Sequence, residues 1–139
     1  MHEGSITIRL RAEVPEIERL NRLVRQFGEL HELPGRALYA VTLTLDELVS
    51  NVILHGFDDP VGQEVSIRIE VAEREVRAIV SDGGRDFDPL SMPAPDLSLP
   101  LEQRPLGGLG IHIVRSLMDH VEYRRENNKN LLTVRKRMR

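Results

Sequence analysis

The stretch Val41-Thr42-Leu43-Thr44-Leu45-Asp46-Glu47-Leu48-Val49-Ser50-Asn51-Val52-Ile53-Leu54-His55-Gly56 decides how this chain folds. Leu45, Leu48, Val49, Val52 and Ile53 recur at the i, i+3, i+4 spacing of an amphipathic helix, so one face is core. Glu47, Asn51 and His55 fall four apart on another face, each about 6 Å from the next by helix geometry. Alone, such a row reads as a solvated polar face. Gly56 ends the pattern, as a left-handed cap would.

Working outward, Ser5–Arg11 alternates apolar and polar residues, the pattern of a half-buried strand. Val14-Pro15-Glu16 opens a helix whose Ile17, Leu20, Leu23, Val24, Phe27 and Leu30 form a stripe that is either core or a partner surface. Leu33-Pro34-Gly35 breaks that pattern before the central helix. After a turn at Asp58–Gly62, Val65–Val71 and Val76–Asp82 read as an antiparallel hairpin joined through Glu73-Arg74. Five prolines (Pro89, Pro93, Pro95, Pro100, Pro105) then mark a long irregular segment, about 85–107, read as a lid rather than a floppy insertion. Gly110–Asp119 reads as a third helix entered from Gly107-Gly108-Leu109. Val121–Arg125 and Leu131–Lys136 close the chain as a second hairpin, turning through Asn127-Asn128-Lys129-Asn130. The order β-α-α-β-β-lid-α-β-β predicts an α+β two-layer sandwich, a mainly antiparallel sheet covered on one face by about three helices. A single domain spanning 1–139 is expected.

Composition narrows the function. Of 139 residues, 40% are apolar and 29% charged, the balance of a folded globular chain. There is no Cys, which removes disulfides, thiol nucleophiles and thiolate metal sites. A net charge of −3 with 4% aromatics argues against direct nucleic-acid binding. The basic Arg135–Arg139 is read as a solvated strand end rather than a phosphate-binding tail. No apolar run approaches the roughly 18 residues of a membrane span, and Met1-His2-Glu3-Gly4 lacks a signal peptide's features, so a cytoplasmic protein is expected.

Three features carry chemistry together. Besides the Glu47…Asn51…His55 face, Asp82-Gly83-Gly84 stands where a strand stops, and Gly107-Gly108-Leu109-Gly110 stands where a helix starts. Glycines before a helix N-terminus let backbone N–H groups close around an anion such as phosphate. An acid at a strand end, followed by glycines, can accept a hydrogen bond from an exocyclic amine such as that of adenine.

With these motifs in this order, the sequence resembles the ATPase/kinase superfamily shared by DNA gyrase, the Hsp90 chaperone, histidine kinases and MutL (GHKL). It looks closest to the small anti-sigma-factor serine kinases of bacteria. Glu47–Asn51 matches the N-box E-x-x-x-N, Asp82–Asp88 the first glycine box, and Gly108–Val114 the second, G-x-G-x-x-x-V, from about Ile6 to Arg137. The resemblance implies a Bergerat ATP-binding fold, with ATP and magnesium (Mg2+) as cofactors. By the same resemblance, Glu47 is the general base and Asn51 the magnesium ligand. Asp82 holds adenine with Gly84 giving clearance, and Gly108, Leu109 and Gly110 hold the phosphates. Arg104, before the second box, is a candidate for the γ-phosphate, while His55 is read as a core or helix-end residue. The first box departs from D-x-G-x-G, with Asp86 in place of its last glycine. The implied partners are a STAS-domain anti-anti-sigma protein as substrate, a sigma factor, and a second copy in a homodimer. Two rivals stay open: a nucleotide-gated binding module without phosphotransfer, and a detached histidine-kinase catalytic domain.

Overall fold

The computed structural model describes residues 4–91 and 108–138. Their elements are β1 (Gly4–Arg11), α1 (Glu16–Leu30), α2 (Gly35–His55), β2 (Glu64–Val71), β3 (Glu75–Asp82), a 3-10 turn (Pro89–Ser91), α3 (Gly108–Leu117), β4 (His120–Glu126) and β5 (Lys129–Arg137). The strands form one sheet in the order β1-β2-β3-β5-β4, and every neighbouring pair is antiparallel.

Strand alternation sets which face is covered. Ile8 and Leu10 of β1 lie opposite Ile67 and Val65 of β2, and Ala78 and Val80 of β3 lie opposite Val134 and Leu132 of β5. All eight are buried, whereas their chain neighbours, such as Arg9, Ser66, Ile79 and Thr133, face the other side and stay partly or fully accessible. A period of two thus yields one wet and one dry face, and the helices pack on the dry one. This is the two-layer α+β sandwich that the element order predicts.

The central helix α2 buries Ala37, Ala40, Val41, Thr44, Leu45, Leu48, Val49 and Ile53 in that core. It is 21 residues long and apolar enough, by length and composition, to cross a membrane. Here it is the core helix, packed against α1, α3 and the sheet. Its neighbour α1 buries Leu20, Val24, Phe27 and Gly28, and a Cβ on Gly28 would strike the Leu38 side chain, so the two helices touch closely there. The N-terminus of α1 is tied to the end of β1: the Glu16 carboxylate accepts the Arg11 N–H at 3.1 Å, and Arg19 Nη1 donates to the Arg9 carbonyl at 3.0 Å.

Several boundaries differ from the sequence expectation. Gly56 ends α2 with φ −82°, in the right-handed region rather than the left-handed one. Its N–H still bonds Val52 O at 2.8 Å, its carbonyl accepts the Arg85 N–H at 2.9 Å, and the Arg85 guanidinium donates to the His55 carbonyl. Carbonyls that a left-handed cap would satisfy locally are satisfied by another segment. Helix α3 starts at Gly108, two residues before its expected start, and stops at Leu117. The second hairpin turns on Asn127 and Asn128, both with positive φ (52° and 62°), the signature of a two-residue turn. Asn130 therefore belongs to β5, where it sits directly across from Asp82.

Candidate functional site

Between α2 and the dry face of the sheet lies a cavity of about 300 Å³. Leu48 and Val52 of α2, Val80 of β3 and Leu132 of β5 give it apolar walls. Asn51, His55, Asp82, Arg85, Tyr123 and Asn130 supply the polar groups, and Phe87 and Pro89 complete the lining. An apolar cavity with few, placed polar groups is the usual form of a small-molecule site.

Asp82 is the buried acid of that cavity, 7% exposed. Among the described residues, the hydrogen bonds to its carboxylate both fall on Oδ1: the Gly84 N–H at 2.9 Å and Asn130 Nδ2 at 3.1 Å. Oδ2 is left as an acceptor, the complement of an exocyclic amine. Gly84 is required by close approach, because a Cβ there would strike the Gly56 carbonyl oxygen and lie 2.9 Å from Asp82 Oδ1. The clearance it gives is therefore between the end of β3 and the end of α2.

Asn51 reaches the cavity from α2, and His55, exposed at the last position of the helix, lines its rim. Glu47, one turn before Asn51, is half-buried against α3: a Cβ on Gly110 would collide with its carboxylate. The fold thus brings the N-box acid onto the first turn of the helix that starts with the second glycine box. Gly108, Leu109 and Gly110 form that first turn. Among the described residues no group of three or more His, Asp or Glu could hold a metal. Asn51 could supply one hard amide oxygen to a magnesium ion bound with a polyphosphate. Arg104 and most of the expected lid fall in 92–107, outside the described residues.

The residues that motif reading missed stand behind Asp82. Asn130 is 8% exposed; its Nδ2 donates to Asp82 Oδ1 and to the Arg85 carbonyl at 2.7 Å. Its Oδ1 accepts from Tyr123 Oη at 2.6 Å and Arg125 Nη1 at 3.1 Å, and the same Arg125 nitrogen donates to the Gly84 carbonyl at 2.9 Å. Tyr123 Oη also lies 3.1 Å from Asp86 Oδ1. Burial first, and then the Asp86 carboxylate, hold the Tyr123 phenol above its ordinary pKa, so it remains a donor at neutral pH. The only sequence signal for this group is the β3–β5 register, which places Asn130 opposite Asp82.

Comparison with known proteins agrees with this geometry. The chain is 28% identical over 100 residues to the serine/threonine-protein kinase BtrW of Bordetella bronchiseptica, covering 72% of this chain and 70% of that protein. It is 27% identical over 94 residues to the serine-protein kinase RsbW of Bacillus cereus, covering 65% of this chain and 58% of that one. Among solved structures, the RsbU and RsbW domains of Rv1364c from Mycobacterium tuberculosis superpose with a TM-score of 0.71 over 96% of this chain and 32% of theirs. At 15% identity that likeness speaks for the fold alone. The family model of the histidine kinase-like ATPase domain matches residues 10–136, and with Asn51 of the N-box and Asp82 of the first glycine box brought to one cavity, the chain belongs to that family.

Proposed function

We propose that this chain is an ATP- and magnesium-dependent protein serine kinase that also acts as a partner switch. It would phosphorylate a STAS-domain anti-anti-sigma protein and bind a sigma factor, working as a cytoplasmic homodimer without direct nucleic-acid contact. The observation that carries this reading is the contact of the Glu47 carboxylate with Gly110, one helical turn from Asn51 at the cavity wall. The relatives BtrW and RsbW, both named as serine kinases, support it.

The chemistry assigned to the chain's own residues is simple. Asp82 Oδ2 accepts from the adenine amine, and the apolar walls cover the base. Backbone N–H groups at the start of α3 face the phosphates, where the helix dipole favours negative charge. Asn51 would hold magnesium through its amide oxygen, and the ion when bound would offset charge on the phosphates. Glu47 takes the proton of the acceptor serine as that oxygen bonds the γ-phosphorus and the bond to the bridging oxygen breaks, releasing ADP.

Asp86 is the feature that favours the rival reading, a nucleotide-gated binding module without phosphotransfer. Its carboxylate is exposed but engaged near Tyr123 at 3.1 Å. The test is intact-mass analysis of a STAS-domain protein from the same genome after incubation with this chain, ATP and magnesium. The expected result is one acid-stable phosphoryl group, with Glu47→Ala slowing transfer by about 100-fold or more while ADP binding persists. A stable complex with no phosphoryl group gives the answer to the binding module. Acid-labile phosphate points to a histidine acceptor and a detached histidine-kinase domain.

A further inference from the structure

We infer that Asn130 is the positioning residue for base selection: it fixes the Asp82 carboxylate in the orientation that accepts from a 6-amino purine, and Tyr123 and Arg125 fix Asn130 in turn. The inference rests on the reading of Asp82 as the base-reading acid.

A carboxylate at a strand end can rotate, and a rotating acceptor discriminates poorly. Here Oδ1 is pinned by the Gly84 N–H and by Asn130 Nδ2, so Oδ2 meets the ligand as an acceptor only. A 6-amino group donates to it. A 6-oxo group would set acceptor against acceptor in a buried place, which is the kind of mismatch that gives large discrimination. This works only if the Asn130 amide is itself held one way round. Its four partners divide cleanly: the donors Tyr123 Oη and Arg125 Nη1 meet Oδ1, and the acceptors Asp82 Oδ1 and the Arg85 carbonyl meet Nδ2. Turning the amide over would oppose the Arg125, Asp82 and Arg85 contacts at once; the Tyr123 hydroxyl alone, able to accept as well as donate, could adapt. Asp86 joins at the far end, because the Tyr123 hydroxyl lies near its Oδ1 as well. The side chain that departs from the family's first glycine box thus belongs to the same network as Asp82.

Asn130→Asp tests this with a readout that a purely structural role would not move. When protonated, the substituted carboxyl has the shape of the amide and a hydroxyl donor where Nδ2 stood. When ionised, it sets two carboxylates about 3.1 Å apart, which cannot both stay charged without a large cost. The titratable and charged groups facing position 130 are Asp82 of β3, Arg85 and Asp86 after it, Tyr123 and Arg125 of β4, and His55 of α2 across the cavity. All are common to the parent chain, so its own pH profile serves as the baseline.

The experiment is titration calorimetry of ADP and GDP against the parent chain, Asn130→Asp and Asn130→Leu at about pH 5.5 and about pH 8, with thermal melts to verify folding. The parent is expected to prefer ADP at both values. Asn130→Asp should keep the preference at the lower pH and lose about 10-fold or more of ADP affinity at the higher. Asn130→Leu should lose about 10-fold or more of the ADP-over-GDP ratio at both. If Asn130→Leu does not fold, the loss of ADP affinity by Asn130→Asp between the lower and the higher pH carries the test. Folded variants with the parent's ratio and pH profile overturn the proposal while leaving Asp82 in its role. A parent chain that does not prefer ADP overturns the reading of Asp82, and this proposal with it.

Discussion

At the scale of single residues, the site depends on Asp82 and on Gly84, packed against the Gly56 carbonyl. Asp82→Ala should weaken ADP by about 1–3 kcal/mol in calorimetry, the cost of leaving a buried donor unpaired; unchanged affinity would put the base elsewhere. Gly84→Ala should destabilise the fold by about 1–3 kcal/mol, because the new Cβ meets the Gly56 carbonyl, a backbone atom that cannot swing away. A denaturant midpoint equal to the parent's would show that the ends of β3 and α2 separate freely. Asp82 and the glycines after it were legible in the sequence, since an acid at the end of an alternating strand is a local pattern. Asn130 was not: it sits beside Asn127 and Asn128, where asparagine spells a turn, and its partner is 48 residues away. Only the register of β3 on β5 brings it to Asp82.

At the scale of elements, α2 serves two masters on two faces. The apolar stripe that predicts its core face is the one it buries, while Asn51 lines the cavity and Glu47 meets α3. Strand alternation and helical periodicity were enough to place every described strand and α-helix, though not the 3-10 turn Pro89–Ser91, with ends shifting by a few residues, as at the end of α2 where Arg85 replaces a local cap. Element ends are also where pH acts. The Arg11 backbone N–H, with Arg19 and Arg11 nearby, holds the Glu16 carboxyl below its ordinary pKa, against the opposing effect of burial. Its folded pKa lies below the unfolded one, so its contribution to stability is fully present above about pH 4.3 and is lost as pH falls through the lower folded value. Glu16→Gln should therefore melt below the parent at neutral pH, and the gap should close in strong acid. A gap constant from neutral to strongly acid pH would sever the clip between β1 and α1 from that carboxylate's charge.

At the scale of the whole molecule, ligand and fold are linked. If ADP binds the native cavity and not the unfolded chain, ADP at about 100 times its Kd should add about 2.7 kcal/mol of stability, visible as a higher melting temperature that Asp82→Ala largely abolishes. No shift at saturation would mean that the cavity is not its site. The same linkage has a direction in time. Asp82 and Asn130 meet only when β3 zips against β5, across a 48-residue span that contains α3 and β4. Closing such a span is entropically costly and precedes any reward from the contacts it makes. The nucleotide therefore finds nothing to hold in a partly assembled chain: it should leave the refolding rate constant untouched and slow the unfolding one, acting as a latch on the finished molecule instead of a template for making it.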